Sequence, residues 1–373
     1  MEFRTFETPI ALIRILQNIQ QPIFCYIVQN LHWYPEVKVL SRMNQYTVLM
    51  NEYSHSSRIK PIKVLTFGEA LFDIIRGSAH LGGAPLNLAA HLAKLGAKPA
   101  VITAVGRDEL GKSLLSRAKA MGIDTSYILI DKKRPTGTVT VQLQAEGIPV
   151  FTINKGVAWD AITPDEKEFK ALSGEEWDVF CFGTLAQRTE ENRKTLERLF
   201  SEIKAKHFFY DVNLRTGNYK KEWILSSLEH TTILKLNEKE ASTISCLLSG
   251  TSGTCKPLTS YKAFCRLVTE KYPEIFVICI SRGPKGAAVC YKGVYEEVET
   301  TPIEVADTVG AGDAFSAGFL YTCLSGYGVS KAASIACILG TYVASKPGAV
   351  PDYSKELMEE LKAQGLNLSF IKT

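Results

Sequence analysis

From Lys63 onward the chain alternates short apolar runs with amphipathic stretches, and this rhythm restricts it to parallel strands joined by crossover helices. Strands are expected over residues 64–67, 100–105, 179–182, 207–210, 233–236 and 276–280, with helices over 85–95, 111–121 and 190–206. The order predicts an α/β fold: one doubly wound domain whose mostly parallel sheet is flanked by helices and whose ligands lie at the carboxyl ends of strands. One stretch departs from the rhythm. Residues 138–144 and 150–154 alternate with period two around Glu146-Gly147, which reads as an antiparallel hairpin and is placed as a small β lid over the site. The domain is drawn over 61–373, with lid segments around 72–83 and 136–160.

The chain has 373 residues and is 46% hydrophobic, enough for one large α/β domain with an appendage or for two ordinary domains. A formal charge of +4 and no block of five basic residues argue against nucleic acid or an anionic membrane as partner. Nine cysteines occur without a Cys-x-x-Cys, several inside apolar runs, and read as reduced thiols of a cytoplasmic protein. The first sixty residues differ in texture. Their apolar stretches, 9–16 and 22–28, are broken by Arg14, Gln17, Gln20, Gln21 and Asn30, short of the ~18–20 clean residues of a membrane span. Glu2 and Glu7 argue against a transit peptide. Organised pattern begins only at Pro61, and Met43 and Met50 lie shortly before it, so residues 1–60 read as a peripheral extension or an over-called start.

The segment 307–315, Asp-Thr-Val-Gly-Ala-Gly-Asp-Ala-Phe, places a glycine pair just before an aspartate that opens a run of small and apolar residues. Gly310, Ala311 and Gly312 can turn successive N–H groups toward one point, where the following helix adds the positive end of its dipole. A transferring phosphoryl group would be held there, with Asp313 in the first helical turn as base for a substrate hydroxyl. The plainer alternative is a tight turn with Asp313 as a cap. The helix is expected to run to Ser325 and stop at Gly326, followed by a second, small-residue helix over 331–344 that packs either beside a nucleotide or simply against other helices.

A rival exists. Residues 106–113, Gly-Arg-Asp-Glu-Leu-Gly-Lys-Ser, match the P-loop pattern between a strand and a helix, and Asp211 ends an apolar strand as a magnesium-assisting aspartate would. Asp108 and Glu109, however, stand where backbone must wrap phosphate, and would repel it.

Taken together, these residues resemble the ribokinase-like (phosphofructokinase-B type) sugar kinases over most of 61–351. The segment 307–315 matches the family's C-terminal signature, and by that match Asp313 is the catalytic base and Gly310, Ala311 and Gly312 the anion hole. Gly82-Gly83-Ala84-Pro85-Leu86-Asn87 matches the N-terminal signature, in which Gly82, Gly83 and Asn87 contact sugar hydroxyls. Asp73 aligns with an aspartate that accepts from sugar hydroxyls. Asn237 and Glu240 match an Asn-x-x-Glu motif supporting magnesium and the ATP phosphates; Ser281, Gly283 and Gly286 match the nucleotide loop; and Asp307, with the neighbourhood of Gly348, falls where relatives bind a monovalent cation such as potassium. Asn213 and Arg215, in Asp211-Val-Asn-Leu-Arg, match a substrate segment shared by fructokinases and 2-keto-3-deoxygluconate kinases.

The resemblance implies direct phosphoryl transfer from Mg-ATP to a primary sugar hydroxyl, with the lid excluding water. Residues 154–160, Asn-Lys-Gly-Val-Ala-Trp-Asp, look closest to bacterial fructokinases and select fructose, with Trp159 either lid core or sugar contact. Only eight residues separate Asp73 from Gly82, a shorter lid insertion than in ribokinase, which argues against that enzyme's lid-to-lid dimer while leaving a homodimer open. A catalytically silent sugar or nucleotide sensor on the same fold is the competing class. A nicotinamide dehydrogenase lacks its Gly-x-Gly-x-x-Gly after the first strand.

Overall fold

A computed structural model of the chain describes residues 60–75, 77–143, 149–250, 257–301, 303–366 and 368. The expectations for residues 1–59 and for the Glu146-Gly147 turn lie outside these residues. Nine strands form the main sheet: β1 (Lys63–Phe67), β4 (Lys98–Gly106), β5 (Ile128–Asp131), β8 (Glu176–Gly183), β9 (Lys204–Asp211), β10 (Ile233–Asn237), β11 (Val277–Ser281), β12 (Ala287–Tyr291) and β13 (Val294–Val298). Their order is β13-β12-β11-β10-β9-β8-β1-β4-β5, parallel from β11 to β5 and antiparallel at β12 and β13. The chain leaves β1 toward β4 on one side and later adds β8 on the other. That reversal beside β1 is where an open α/β sheet presents its crevice.

Ten α-helices cover the sheet among the described residues: α1 (Ala84–Lys94), α2 (Glu109–Ala120), α3 (Glu166–Gly174), α4 (Glu190–Glu202), α5 (Lys221–Glu229), α6 (Glu238–Ser249), α7 (Tyr261–Lys271), α8 (Ala311–Leu324), α9 (Val329–Ala344) and α10 (Lys355–Ala363). Strands buried on both faces need mostly apolar residues, and β1, β4, β8 and β11 have them, while β10 carries the buried Lys235. Along β8, Phe180 and Phe182 enter one core while Val179 and Cys181 enter the opposite one. The small residues of α8 and α9 serve helix packing: a Cβ on Gly318 would lie 2.7 Å from Leu339 Cδ1 and 3.2 Å from Ala336 Cα. The seven cysteines among the described residues carry free thiols. No described helix is long and apolar enough to cross a membrane.

Two local expectations are corrected. The helix expected over 190–206 ends at Glu202, because Lys204 pairs with Glu176 and starts β9; sheet pairing overrides the helical preference of Lys204, Ala205 and Lys206. The lid is a four-stranded sheet ordered β3-β2-β6-β7, from β2 (Leu71–Ile75), β3 (Ser78–Gly82), β6 (Gly137–Leu143) and β7 (Pro149–Ile153). Residues 154–160 are not part of it. Ala158–Ala161 make a 3₁₀ turn that drives Trp159 fully into the main core, against Gly137 and beneath the Arg188 guanidinium, whose carbon lies 3.9 Å from the ring centroid. Arg188 also forms a buried bidentate pair with Asp160, at 2.7 and 2.9 Å. Trp159 thus belongs to the main core, where the expectation had offered lid core or sugar contact.

Candidate active site

Asp313 is the third residue of α8, and its setting is created by the residue that caps the helix. Gly310 is left-handed at φ 76°, and a Cβ there would collide with the Ala349 carbonyl. Any other residue would displace the 349 backbone or lose the cap. Gly83 plays the matching part for α1, at φ 111°, where a Cβ would strike the Glu69 carbonyl. Helix α1 packs on α8, and from its first turn Asn87 Nδ2 donates to Asp313 Oδ2 at 2.8 Å. The two glycine-capped segments, far apart in sequence, therefore meet at one carboxylate.

Lys235 lies behind this carboxylate. It occupies the middle of β10, is 6% exposed, and donates to both oxygens of Asp211 at 3.1 and 3.2 Å. Ser316 Oγ, one turn along α8 from Gly312, donates to Asp211 Oδ2 at 2.7 Å. Burial pushes Asp313 up to about 6 and the nearby Asp211 charge adds to the rise, against the Asn87 hydrogen bond and the Lys235 and Arg215 charges. Burial pushes Glu69 up to about 7, with Asp313 reinforcing and Arg215 opposing. Burial alone would lower Lys235, but Asp211 and Glu240 hold its ammonium above the usual lysine range. The pattern is a desolvated carboxylate kept ionisable near neutrality, as a general base requires.

A cleft opens beside these groups at the carboxyl ends of β1, β8 and β9, lined among others by Glu69, Pro85, Thr184, Asp211 and Asn213. Asn213 is left-handed at φ 38°, a conformation asparagine tolerates better than most residues. Arg215 follows it and is exposed. Asp73 lies within β2, opposite His80 on β3, and a Cβ on Gly82 would sit 2.6 Å from its Oδ2, so Gly82 is what leaves that carboxylate room. Burial raises Asp73 above the usual carboxylate range, against His80 and Arg215.

The expected nucleotide residues gather at the neighbouring strand ends. Asn237 caps α6, accepting from Lys239 N and Glu240 N at 3.0 Å, while Glu240 accepts from Asn237 N at 2.8 Å and Leu214 N at 2.9 Å. Each thus has a structural task, and Glu240 also ties the segment carrying Asn213 and Arg215 to α6. Ser281 ends β11, and Gly283 and Gly286 bracket a 3₁₀ turn. Asp307 accepts from Val309 N at 3.0 Å and Gly348 N at 3.2 Å, joining the two segments expected to meet at a cation. Among the described residues no group of three or more His, Cys, Asp or Glu could hold a metal ion.

The P-loop rival fails on its own residues. Asp108 fills the loop, accepting from Gly111 N and Thr136 N at 2.8 Å and from Thr136 Oγ1 at 2.6 Å. Lys112 points outward to Glu109 at 2.6 Å.

Three participants escaped sequence reasoning: Lys235, Glu69 and His91. Lys235 had a signal, a lysine inside the apolar strand Ile-Leu-Lys-Leu-Asn. His91 lies one turn beyond Asn87, and its Nε2 is 3.0 Å from Ala349 O and its Nδ1 2.8 Å from Tyr353 Oη. Because the carbonyl only accepts, Nε2 carries the proton and Nδ1 accepts from tyrosine. Nothing in its local sequence marks it.

Comparison with known proteins points the same way. The family model for pfkB family carbohydrate kinases matches residues 57–356. A fructokinase from Escherichia coli is 29% identical over 280 residues, 72% of this chain and 86% of that protein. An uncharacterized sugar kinase from Pyrococcus horikoshii, solved in complex with ATP, has a TM-score of 0.67 at 25% identity, over 81% of this chain and 99% of that one. A fructokinase double mutant from Vibrio cholerae, in fructose, ADP and potassium ion bound form, has a TM-score of 0.67 at 20% identity over 83% of this chain and 100% of that one, a likeness of fold.

Proposed function

The chain belongs to the pfkB family of carbohydrate kinases and is an ATP-dependent sugar phosphotransferase, and on that premise we propose that it is a fructokinase with Asp313 as general base. The observation that carries the base assignment is the 2.8 Å hydrogen bond from Asn87 to Asp313, which joins the two glycine-capped helices at one ionisable carboxylate. Fructose as acceptor is supported by the fructokinase relative.

Asn87 holds Oδ2, leaving Oδ1 to accept the proton of the primary hydroxyl. The hydroxyl oxygen forms a bond to the γ-phosphorus as the bond to the β,γ-bridging oxygen breaks, yielding fructose 6-phosphate and ADP with the proton on Asp313. Charge on the transferring group is met by the amides of residues 310–312 and the N-terminus of α8. Asp73, Gly82, Gly83, Asn213 and Arg215 bind the sugar; Asn237, Glu240, Ser281, Gly283 and Gly286 serve the nucleotide side. Magnesium carried by ATP supplies further neutralisation, and Asp307 with the Gly348 segment would hold potassium. The lid sheet excludes competing water. Its use of ATP as donor supports a cytoplasmic location.

The test is ADP release from Mg-ATP by the wild type and Asp313→Ala with fructose and 2-keto-3-deoxygluconate. Turnover with fructose, lost in a folded Asp313→Ala, is the expected result. Preference for 2-keto-3-deoxygluconate would transfer the assignment to that acid, the second reading that Arg215 in the Asp-x-Asn-x-Arg segment supports. Turnover surviving in Asp313→Ala would remove the base assignment.

A further inference from the structure

The chain leaves the last lid strand, β7, through residues 154–162, and side chains from the segment 184–192 hold that limb. Arg188 Nε donates to Asp160 Oδ1 at 2.7 Å, while Nη2 donates to Asp160 Oδ2 at 2.9 Å and to Asn154 O at 2.5 Å. One turn on, Asn192 accepts from Ile162 N and donates to Trp159 O, each at 2.8 Å. The side chains of Arg188 and Asp160 are both 6% exposed. A buried ion pair is a poor way to gain stability. Desolvating both charges costs about what their attraction returns, and an apolar pair of similar volume often does as well or better. What the guanidinium adds is direction, because its N–H groups lie in one rigid plane and fix the distance and angle between the segments they join.

Both segments reach the site. The first begins in the cleft wall, at Gly183, Thr184 and Leu185, and Gln187 Nε2 donates back to Gly183 O at 2.9 Å. The second ends in the lid. Asn154 Nδ2 donates to Thr138 Oγ1 at 2.7 Å and Asn154 N to Thr138 O at 3.1 Å, and β6 pairs Thr138 with Phe72 and Val139 with Asp73. A run of hydrogen bonds therefore leads from Arg188 to the strand that carries Asp73. The start of β6 is set from the same place, since Gly137 leaves room for the Trp159 ring on which the guanidinium stacks.

We propose that Arg188 is a positioning residue: it fixes the root of the lid against the cleft wall, so that the phosphoryl group passes to the sugar and not to water. The inference rests on the sugar-kinase reading of the cleft and on the lid covering it, but not on fructose being the sugar or on Asp313 being the base.

The experiment uses the full chain with Mg-ATP and whichever of fructose, ribose and 2-keto-3-deoxygluconate the wild type turns over fastest. It measures the sugar KM, the ATP KM and the inorganic phosphate released per sugar phosphate formed. Arg188→Lys keeps a cation for Asp160 but lacks the fork that also reaches Asn154 O. Arg188→Met/Asp160→Leu removes both charges, so neither is stranded, and should melt within a few degrees of wild type. In both variants the sugar KM and the phosphate-to-sugar-phosphate ratio should each rise about tenfold, while the ATP KM stays within about twofold. A purely structural role would lower the melting temperature and leave the two KM values and the ratio as in wild type. If a sugar other than fructose is turned over fastest, the fructokinase reading falls while this inference stands. A folded variant of either kind with the wild-type sugar KM and the wild-type ratio overturns the inference.

Discussion

Asn87 and Asp313 are 226 residues apart, and the amide of one donates to the carboxylate of the other at 2.8 Å. Each stands in the first turns of a helix capped by a positive-φ glycine, and the two helices pack together. The hydrogen bond therefore gauges whether the two halves of the site are in register, and it fixes which oxygen of Asp313 remains for a substrate.

Replacing Asp313 separates activity from stability. Its carboxyl sits at about 6 in the folded chain, above the ordinary aspartate value of 3.8, so the native state holds the proton more tightly and ionisation costs native stability as pH rises through about 6. Asp313→Asn removes that cost. Its melting temperature should exceed wild type at pH 8, by the equivalent of about 1–3 kcal/mol, and converge on wild type near pH 4. Its kcat should fall roughly 10²–10⁴-fold. Equal melting at both pH values would show that Asp313 is not desolvated.

Losing the Asn87 donor should move the pH profile. The bond favours the ionised carboxylate, so Asn87→Ala raises the Asp313 pKa and shifts the acidic limb of kcat/KM upward from its wild-type position near pH 6. Activity relative to wild type should fall roughly tenfold at pH 6 and recover in part by pH 8. The limb belongs to Asp313 and Glu69 as an interacting pair. A profile that drops evenly at all pH values would contradict this.

Lys235→Met leaves Asp211 and Glu240 without their cation in a buried place. Removing one partner of such a pair costs about 3–5 kcal/mol, read as a lower urea midpoint. The deficit should shrink as acid protonates the stranded carboxylates, and Asp211→Asn in the same chain should recover part of it. An unchanged midpoint at neutral pH would mean that Lys235 is not paired in solution.

His91→Ala strands the Ala349 carbonyl and Tyr353 hydroxyl and loosens the segment that packs against Gly310. A stability loss of about 1–3 kcal/mol is expected, with faster amide exchange across residues 349–353. Burial holds the ring down at about 4, so the latch stays neutral in the folded chain while the unfolded imidazole titrates at its ordinary value of 6.5; the loss on His91→Ala should be fullest at pH 8 and shrink as pH falls through 6.5.

Lys112→Ala should leave kcat within about twofold of wild type, the range of surface changes away from a site. Its side chain is 72% exposed and Asp108 occupies the loop. A large loss would revive the P-loop reading.

Strand and helix order was legible because it is written in nearest-neighbour periodicity: apolar runs such as Val-Phe-Cys-Phe at 179–182, period two at 138–140, and glycines where a helix must be capped. The same local record misplaced the end of the helix at 202, since Lys204 joined the sheet through a partner, Glu176, that the local sequence does not show. It also left Trp159 undecided between lid core and sugar contact, and its place in the main core depended on Gly137 and Arg188 arriving from other elements.

By itself, then, the sequence determined a doubly wound sheet, the glycine-capped helix that presents Asp313, and the residue types of a phosphoryl-transfer site, because backbone conformation and binary pattern are local properties. Tertiary structure alone decided which charges meet. That Lys235 neutralises Asp211 and that the Asn87 amide holds Asp313 follow from the pairing of β10 with β9 and from the packing of α1 on α8. Desolvation and Coulomb energy depend on distances through space, and those are set only once the sheet has closed.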